Sequence, residues 1–404
     1  MIDDLLVYLD SPGDEAVFVG EVFFTAKGGV LVSSMFSYDT SYIERADAFA
    51  IDPELPLRTG GQPVAGLPGT MQDCSPDRWG RNIITKGRRA AAREEGQRAH
   101  TLTDADFLVG VGDFSRQGAL RFRARADGPF LGEGGDVPKL IALPLLLDAA
   151  DAVGSDEDFA AIKTLLEAGT GSLGGARPKA SIADGDRLLI AKFPHRDDEW
   201  DVMAWEKTAL DLASAAGITV PRTRLTRIDD RAVLLLDRFD RRAGNRVPYM
   251  SAMTLLGARD GGVQDYVDIA EAMAPVSAAA RTDLNELWRR VVYSIIVNNT
   301  DDHLRNHGLL HEQGGWRMSP AFDLNPNPDT GTSRQTGIAG AYVREDALDA
   351  ALEYATVFDL TSIQARDVID QVTVAVSGWR EAAKANGLSV KEMTLFDDAF
   401  WSPD

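Results

Sequence analysis

The dominant period of this chain's hydrophobic pattern changes near Asp237–Asp240. Before that point short runs rich in Val, Leu, Phe and Ile alternate with turn residues, as strands do. After it apolar residues recur at helical spacing, most clearly over 284–298 and 362–385. Strands and helices segregated along a sequence belong to α+β folds, because alternating βαβ units are what build a parallel sheet. We therefore expect a β-rich N-terminal half and a mostly helical C-terminal half.

Within the first half, 5–38 reads as antiparallel strands with turns at 11–14 and 27–29, followed by a helix between Pro76 and Ala99 and a strand over 118–123. The glycine- and proline-rich stretch 126–138 is the best linker candidate. Helical runs over 140–150 and 159–168 lead to a hairpin turning at Asp184-Gly185-Asp186, a helix over 201–216 stopped by Gly217, and a strand pair separated by Asp229-Asp230. The expected parts are 1–125, 140–237 and 238–404.

Charge and cysteine narrow the function classes. With 62 acidic against 42 basic residues the formal charge is −20, which argues against a chain that wraps nucleic acid alone, since phosphate neutralisation needs clustered Lys and Arg. Cys74 is the only cysteine, so no internal disulfide and no CxxC zinc cluster can form. The start Met1-Ile2-Asp3-Asp4 has no basic segment ahead of an apolar one, and no apolar run approaches a membrane span. These features give the expectation of a cytoplasmic protein with no membrane partner.

Five chemistry-bearing signals occur in order. Gly169-x-Gly171-x-x-Gly174 is shared by dinucleotide folds and by the phosphate-covering loop of kinases. It follows a helical run and enters a hairpin, which fits the kinase context and not a strand-to-helix Rossmann turn. Lys192 ends the strand-like run Leu188-Leu-Ile-Ala-Lys192, like the phosphate-contacting lysine of kinases, and Glu206, fourteen residues on, sits mid-helix where an acid can hold that lysine. The densest signal is 299–308, Asn-Thr-Asp-Asp-His-Leu-Arg-Asn-His-Gly, directly after an apolar helix. Asp301 and Asn306 stand five apart, the interval of a carboxylate that orients a hydroxyl and an amide that binds Mg²⁺. Asp323, after Pro320-Ala-Phe322, follows a second expected hairpin, 309–311 with 316–318, that would return it to the side of Asn306. A zinc reading of His303, His307 and His311 is weaker, because Gly308 interrupts the helix needed to align them and Leu304 stands where HExxH has glutamate.

With those residues in place the chain resembles the HipA family, the serine/threonine kinase toxins of bacterial toxin–antitoxin pairs. The resemblance rests on Ser75-Pro-Asp77-Arg-Trp79-Gly80, Gly174-Gly-Ala-Arg177-Pro-Lys179, Ala191-Lys192-Phe193-Pro194, Asp237-Arg-Phe239-Asp240-Arg241, Asn299-x-Asp301-Asp302-His303-x-x-Asn306-His307-Gly308 and Pro320-Ala-Phe-Asp323. It implies a bilobal protein-kinase-like fold with an extra small N-terminal subdomain. It implies ATP and Mg²⁺ as cofactors, with Asp301, Asn306 and Asp323 catalytic and the last two holding the metal. ATP would be bound by Gly171, Ser172, Gly174, Lys179, Lys192, Glu206, a hinge at Asp237–Phe239, and His303 as an orienting residue. Ser172 matches the serine that such kinases phosphorylate on themselves. The implied partners are a small helix-turn-helix antitoxin of the HipB type, which carries the DNA contact, and a protein substrate such as an aminoacyl-tRNA synthetase. Two other classes fit parts of the pattern: a small-molecule kinase, and a binding component of a repressor complex.

Overall fold

The computed structural model describes residues 2–10, 15–132, 137–154, 159–169, 177–259 and 261–403. The glycine-loop positions Gly171, Ser172 and Gly174, and the expected turn at 11–14, lie outside the described residues. Helices and strands are both present and divide into two compact units, Met1–Arg196 with Asp240–Met250, and Asp197–Phe239 with Ser251–Asp404.

The first unit opens with a five-stranded sheet in the order Gln62–Ala65, Val30–Tyr38, Val17–Lys27, Asp4–Leu9, Leu120–Arg123, every neighbour antiparallel. Period-two alternation makes it one-sided: Leu5, Val22 and Phe36 pair across three strands on the buried face, whereas Phe23, Met35 and Pro63 pair on the open one. The buried face packs Tyr38, Tyr42, Met71 and Cys74 into its core. Cys74 caps the short helix Gly69–Asp73, is 2% exposed, and donates its thiol to Thr70 O at 3.2 Å. Burial pushes that thiol up to about 12.

The stretch expected to be a linker is instead pinned where it is described. Phe130 is buried, edge-on to Tyr8, with the guanidinium of Arg121 3.5 Å and that of Arg123 4.0 Å from its ring centre, and Leu131 N donates to Phe122 O at 2.7 Å. An aromatic ring inside a glycine-rich run is what closes it onto the sheet.

The helix Arg78–Glu94 begins at Asp77, whose Oδ1 accepts from Gly80 N at 2.6 Å. It lies close to the helix Phe159–Glu167 at Gly87, where a Cβ would stand 2.6 Å from Leu166 Cδ1. The hairpin Lys179–Asp184 with Arg187–Lys192 follows, turning at Gly185 and Asp186 as the sequence predicts.

The residues directly after Asp240 are not helical, contrary to expectation. Arg241–Arg242 and Asn245–Arg246 form a hairpin around Ala243 and Gly244, both at positive φ, and this segment belongs to the first unit.

In the second unit the helix Val202–Ala215 is capped by Asp201 and ends before Gly217 at φ +80°. The hairpin Thr223–Ile228 with Arg231–Asp237 turns on Asp229 and Asp230 at φ +48° and +64°, the left-handed pair a two-residue loop demands. The helix Ala280–Ile296 is buried along most of its length through Leu287, Trp288, Val291 and Ile295. The expected helix over 362–385 is two, Ser362–Ser377 and Trp379–Ala385, parted at Gly378. Stacked Trp205, Phe396, Trp379 and Phe400 close that end of the core. Among the described residues no helix is long and apolar enough to cross a membrane.

Candidate active site

The helix Ala280–Ile296 is stopped by Val297 and by Asn298 at φ +53°, so the chain turns sharply into the acidic run. Asn298 Nδ2 donates to Asn327 O at 2.6 Å and Asn327 N returns a bond to Asn298 O at 2.9 Å, which fastens the turn to the segment after Asp323. Asp301 is exposed, whereas Asp302 and Asn306 are buried. One helical turn, Leu304–Asn306, brings Asn306 back beneath Asp301, where its Nδ2 donates to the Asp301 carbonyl at 3.1 Å. Committing the amide nitrogen this way leaves the amide oxygen of Asn306 as the acceptor.

The strands Gly308–Glu312 and Gly315–Met318 form the expected hairpin, and Ser319 N donates to Gly308 O at 2.9 Å, so the chain leaves close to where it entered. Asp323 follows at φ +58°, a conformation uncommon for a residue with a Cβ and typical of places where a side chain is held for function. Partial loss of water around the carboxyl, and the negative charges of Asp323 and Asp302, raise Asp301, while His303 and a hydrogen bond from Gln335 Nε2 oppose the rise. Carboxylate and amide oxygens are hard donors of the kind Mg²⁺ takes, so Asn306 and Asp323 are of the right chemical type for the metal the resemblance implies.

Asp302, next in the chain, points inward. Its Oδ2 accepts from Tyr266 OH at 2.5 Å and Ser294 Oγ at 3.0 Å, and its Oδ1 lies 3.1 Å from His307 Nε2. Burial alone would raise this carboxyl; His307, Tyr266 and Arg334 overturn that and hold it well below the usual range. His307 is thereby turned to the interior, and His311 lies on the strand Gly308–Glu312 edge-on to Trp316. Among the described residues no group of three or more His, Cys, Asp or Glu side chains is placed to hold a metal by itself.

Other expected residues take these positions. Lys192 is half-buried at the end of its strand, directly across from Lys179. Lys179 is buried and ion-paired at 2.9 Å with Asp77, the residue that caps the helix Arg78–Glu94, so it ties the hairpin to that helix. Glu206 is 1% exposed on the helix Val202–Ala215. Asp237 N donates to Arg222 O at 2.9 Å, and the Phe239 ring lies 5.5 Å from Phe322, the neighbour of Asp323. Sequence reasoning missed Gln335, Arg334, Thr336 and Tyr266, which act on Asp301 and Asp302 from 32 to 36 positions away in no recognisable pattern. The nearest signal was the spacing Asn325-Pro-Asn327-Pro-Asp329 just beyond Asp323.

Residues 171–379 match the sequence profile of the HipA-like C-terminal domain and residues 15–122 that of the HipA N-terminal domain. A Sinorhizobium fredii protein named "Putative kinase Y4mE" is 26% identical over 181 residues, 38% of this chain and 41% of that protein, so the match spans less than half of the relative. A Shewanella oneidensis HipA, solved with HipB and operator DNA, superposes with a TM-score of 0.69 over 98% of this chain and 94% of its own at 15% identity, a likeness of fold. The Helicobacter pylori kinase CtkA, at 16% identity over 56% of this chain and 88% of its own, has a TM-score of 0.40, too low to argue from. The two profiles cover both the unit that begins the chain and the loop that bears Asp301, and on that ground the chain belongs to the HipA family.

Proposed function

We propose that the chain is an ATP-dependent serine/threonine protein kinase, the toxin of a toxin–antitoxin pair. The observation that carries this is that Asn306 bonds back to the Asp301 carbonyl just after one buried helix, and that the charge of Asp323, just after one hairpin, acts on the Asp301 carboxyl. In this reading Asp301 accepts the proton of an acceptor hydroxyl as the new O–P bond forms and the bond from the γ-phosphorus to ADP breaks. Bound Mg²⁺ supplies neutralisation of phosphate charge. Asn306 and Asp323 hold it through oxygen, and Lys192 steadies phosphates from its strand end. Phosphoryl transfer is mostly positioning and electrostatics, which is why a rigid carboxylate counts for more here than a reactive one.

The partner in this reading is a HipB-type antitoxin, as in the Shewanella complex, with DNA reached through it; the chain's charge of −20 is suited to a basic partner. The protein substrate is open, with aminoacyl-tRNA synthetases the first class to test, and Ser172 is the expected site of self-phosphorylation. Asp301→Asn and Asp323→Asn should fold, with melting curves like wild type, and lose γ-phosphate transfer by about 100-fold or more. Wild-type transfer by either variant rules the assignment out.

A further inference from the structure

The acidic run is gripped by a tripeptide that carries no motif. Arg334, Gln335 and Thr336 are consecutive; Gln335 and Thr336 bond directly to Thr300-Asp301-Asp302, and Arg334 reaches Asp302 through the two hydroxyls that donate to it. Arg334 Nη2 donates to Ser294 Oγ at 2.8 Å and Tyr266 OH at 3.2 Å, the same two hydroxyls that donate to Asp302. Gln335 N donates to Thr300 O at 2.9 Å, and its side-chain Nε2 donates to Asp301 Oδ1. Thr336 Oγ1 donates to the Asp302 carbonyl. Arg334 and Thr336 are buried, at 6% and 0% exposure, while Gln335 between them is exposed. The flanking residues therefore fix the backbone, and the Gln335 side chain is spent on Asp301 and not on packing.

A carboxylate turns about a broad terminal torsion, so a single donor decides which oxygen faces outward. We propose that Gln335 is the positioning residue for Asp301: it takes Oδ1 and presents Oδ2 to the acceptor hydroxyl. The inference rests on the reading of Asp301 given above. A neutral amide suits this task, because it orients the carboxylate without setting a full positive charge against it, which would weaken it as a proton acceptor. The parallel bridge of Gln264–Asp265 with Thr336–Gly337, and the bond from Leu304 N to Gln264 Oε1 at 3.0 Å, brace the tripeptide and the loop on one common strand.

The test compares Gln335→Met, similar in length without the donor, and Gln335→Glu, which sets a second negative charge against Asp301, with wild type and Asp301→Asn. Transfer from γ-labelled ATP is followed to the chain itself and to casein, nucleotide affinity is measured by direct binding, and amide hydrogen exchange is followed across 299–306 without nucleotide. Gln335→Met should lower kcat about 10-fold and Gln335→Glu more, with nucleotide affinity within about 2-fold. Exchange across the loop should be faster in Gln335→Met than in wild type. If Gln335→Met keeps wild-type kcat and exchange while Asp301→Asn is inactive, the positioning role is overturned and the kinase reading stands. Weaker nucleotide binding with unchanged kcat overturns it equally. If Asp301→Asn itself transfers phosphate like wild type, the kinase reading is what fails. Should neither acceptor be labelled, unchanged exchange overturns the clamp on its own, and faster exchange upholds it.

Discussion

Asp113 holds two arginines that reach it from 8 and 133 positions along the chain. Arg121 Nη2 lies 2.6 Å and Arg246 Nη2 2.8 Å from its Oδ2, and the Asp113 side chain is 3% exposed. Burial alone would raise its carboxyl, but Arg121, Arg246 and Arg116 hold it below the usual range. A lowered folded value means that the stability Asp113 adds is complete above the unfolded carboxylate range, near about 4, and is lost as pH falls through it toward the folded value. Asp113→Asn leaves two guanidiniums facing a neutral amide and should cost roughly 3 kcal/mol at pH 7. Thermal denaturation at pH 7 and near pH 3 checks this: the gap between variant and wild type should narrow in acid. An equal gap at both values means that the charge is not what Asp113 contributes. Neither Asp113 nor Gln335 stood out in the sequence, because each acts through partners whose spacing no local pattern encodes.

At the scale of elements, the second half of Asp237-Arg-Phe239-Asp240-Arg241 proves to be a fastener. Asp240 is 2% exposed; its Oδ2 accepts from Gly118 N at 2.8 Å and from Arg241 Nη1 at 2.9 Å. Arg241 also donates to the carbonyls of Gly118, Phe114 and Arg116. Gly118 is at φ +73° with a would-be Cβ 3.3 Å from Tyr249, so the close approach needs glycine there. Asp240→Ala should lower the stability of the first unit by about 2–4 kcal/mol, since it leaves the Gly118 N–H unpaired and takes the counter-charge from a half-buried guanidinium. Calorimetry reads the loss, and an unchanged first transition contradicts it. The elements legible beforehand were those with local punctuation: Asp229-Asp230 between strands, Gly217 after its helix, the hairpin around Gly314. The hairpin at 241–246 was missed because two-residue strands are too short to show a period. Phe130 was missed because a glycine-rich setting hides a single anchoring ring. At the candidate site the acidic run was legible because its own residues are dense, and its clamp was not, because pairing across about 30 positions leaves no trace in the order of residues.

For the molecule as a whole, 404 residues carry a charge of −20 and one thiol. The charge sets a long-range field that disfavours bare phosphate backbones and favours basic surfaces, more so at low salt. The thiol of Cys74 is closed inside the core of the first sheet, with its ionisation pushed up to about 12. At pH 8 the folded chain therefore offers very little thiolate. Any alkylation must await an opening of that core, so the rate at which a maleimide arrives becomes a stopwatch on a single breathing motion, built in and needing no engineered probe. Labelling should be slow in buffer and complete within minutes in denaturant, and a ligand that steadies the first unit should slow it further. Rapid labelling of the native chain would mean that the core opens far more readily than its packing implies.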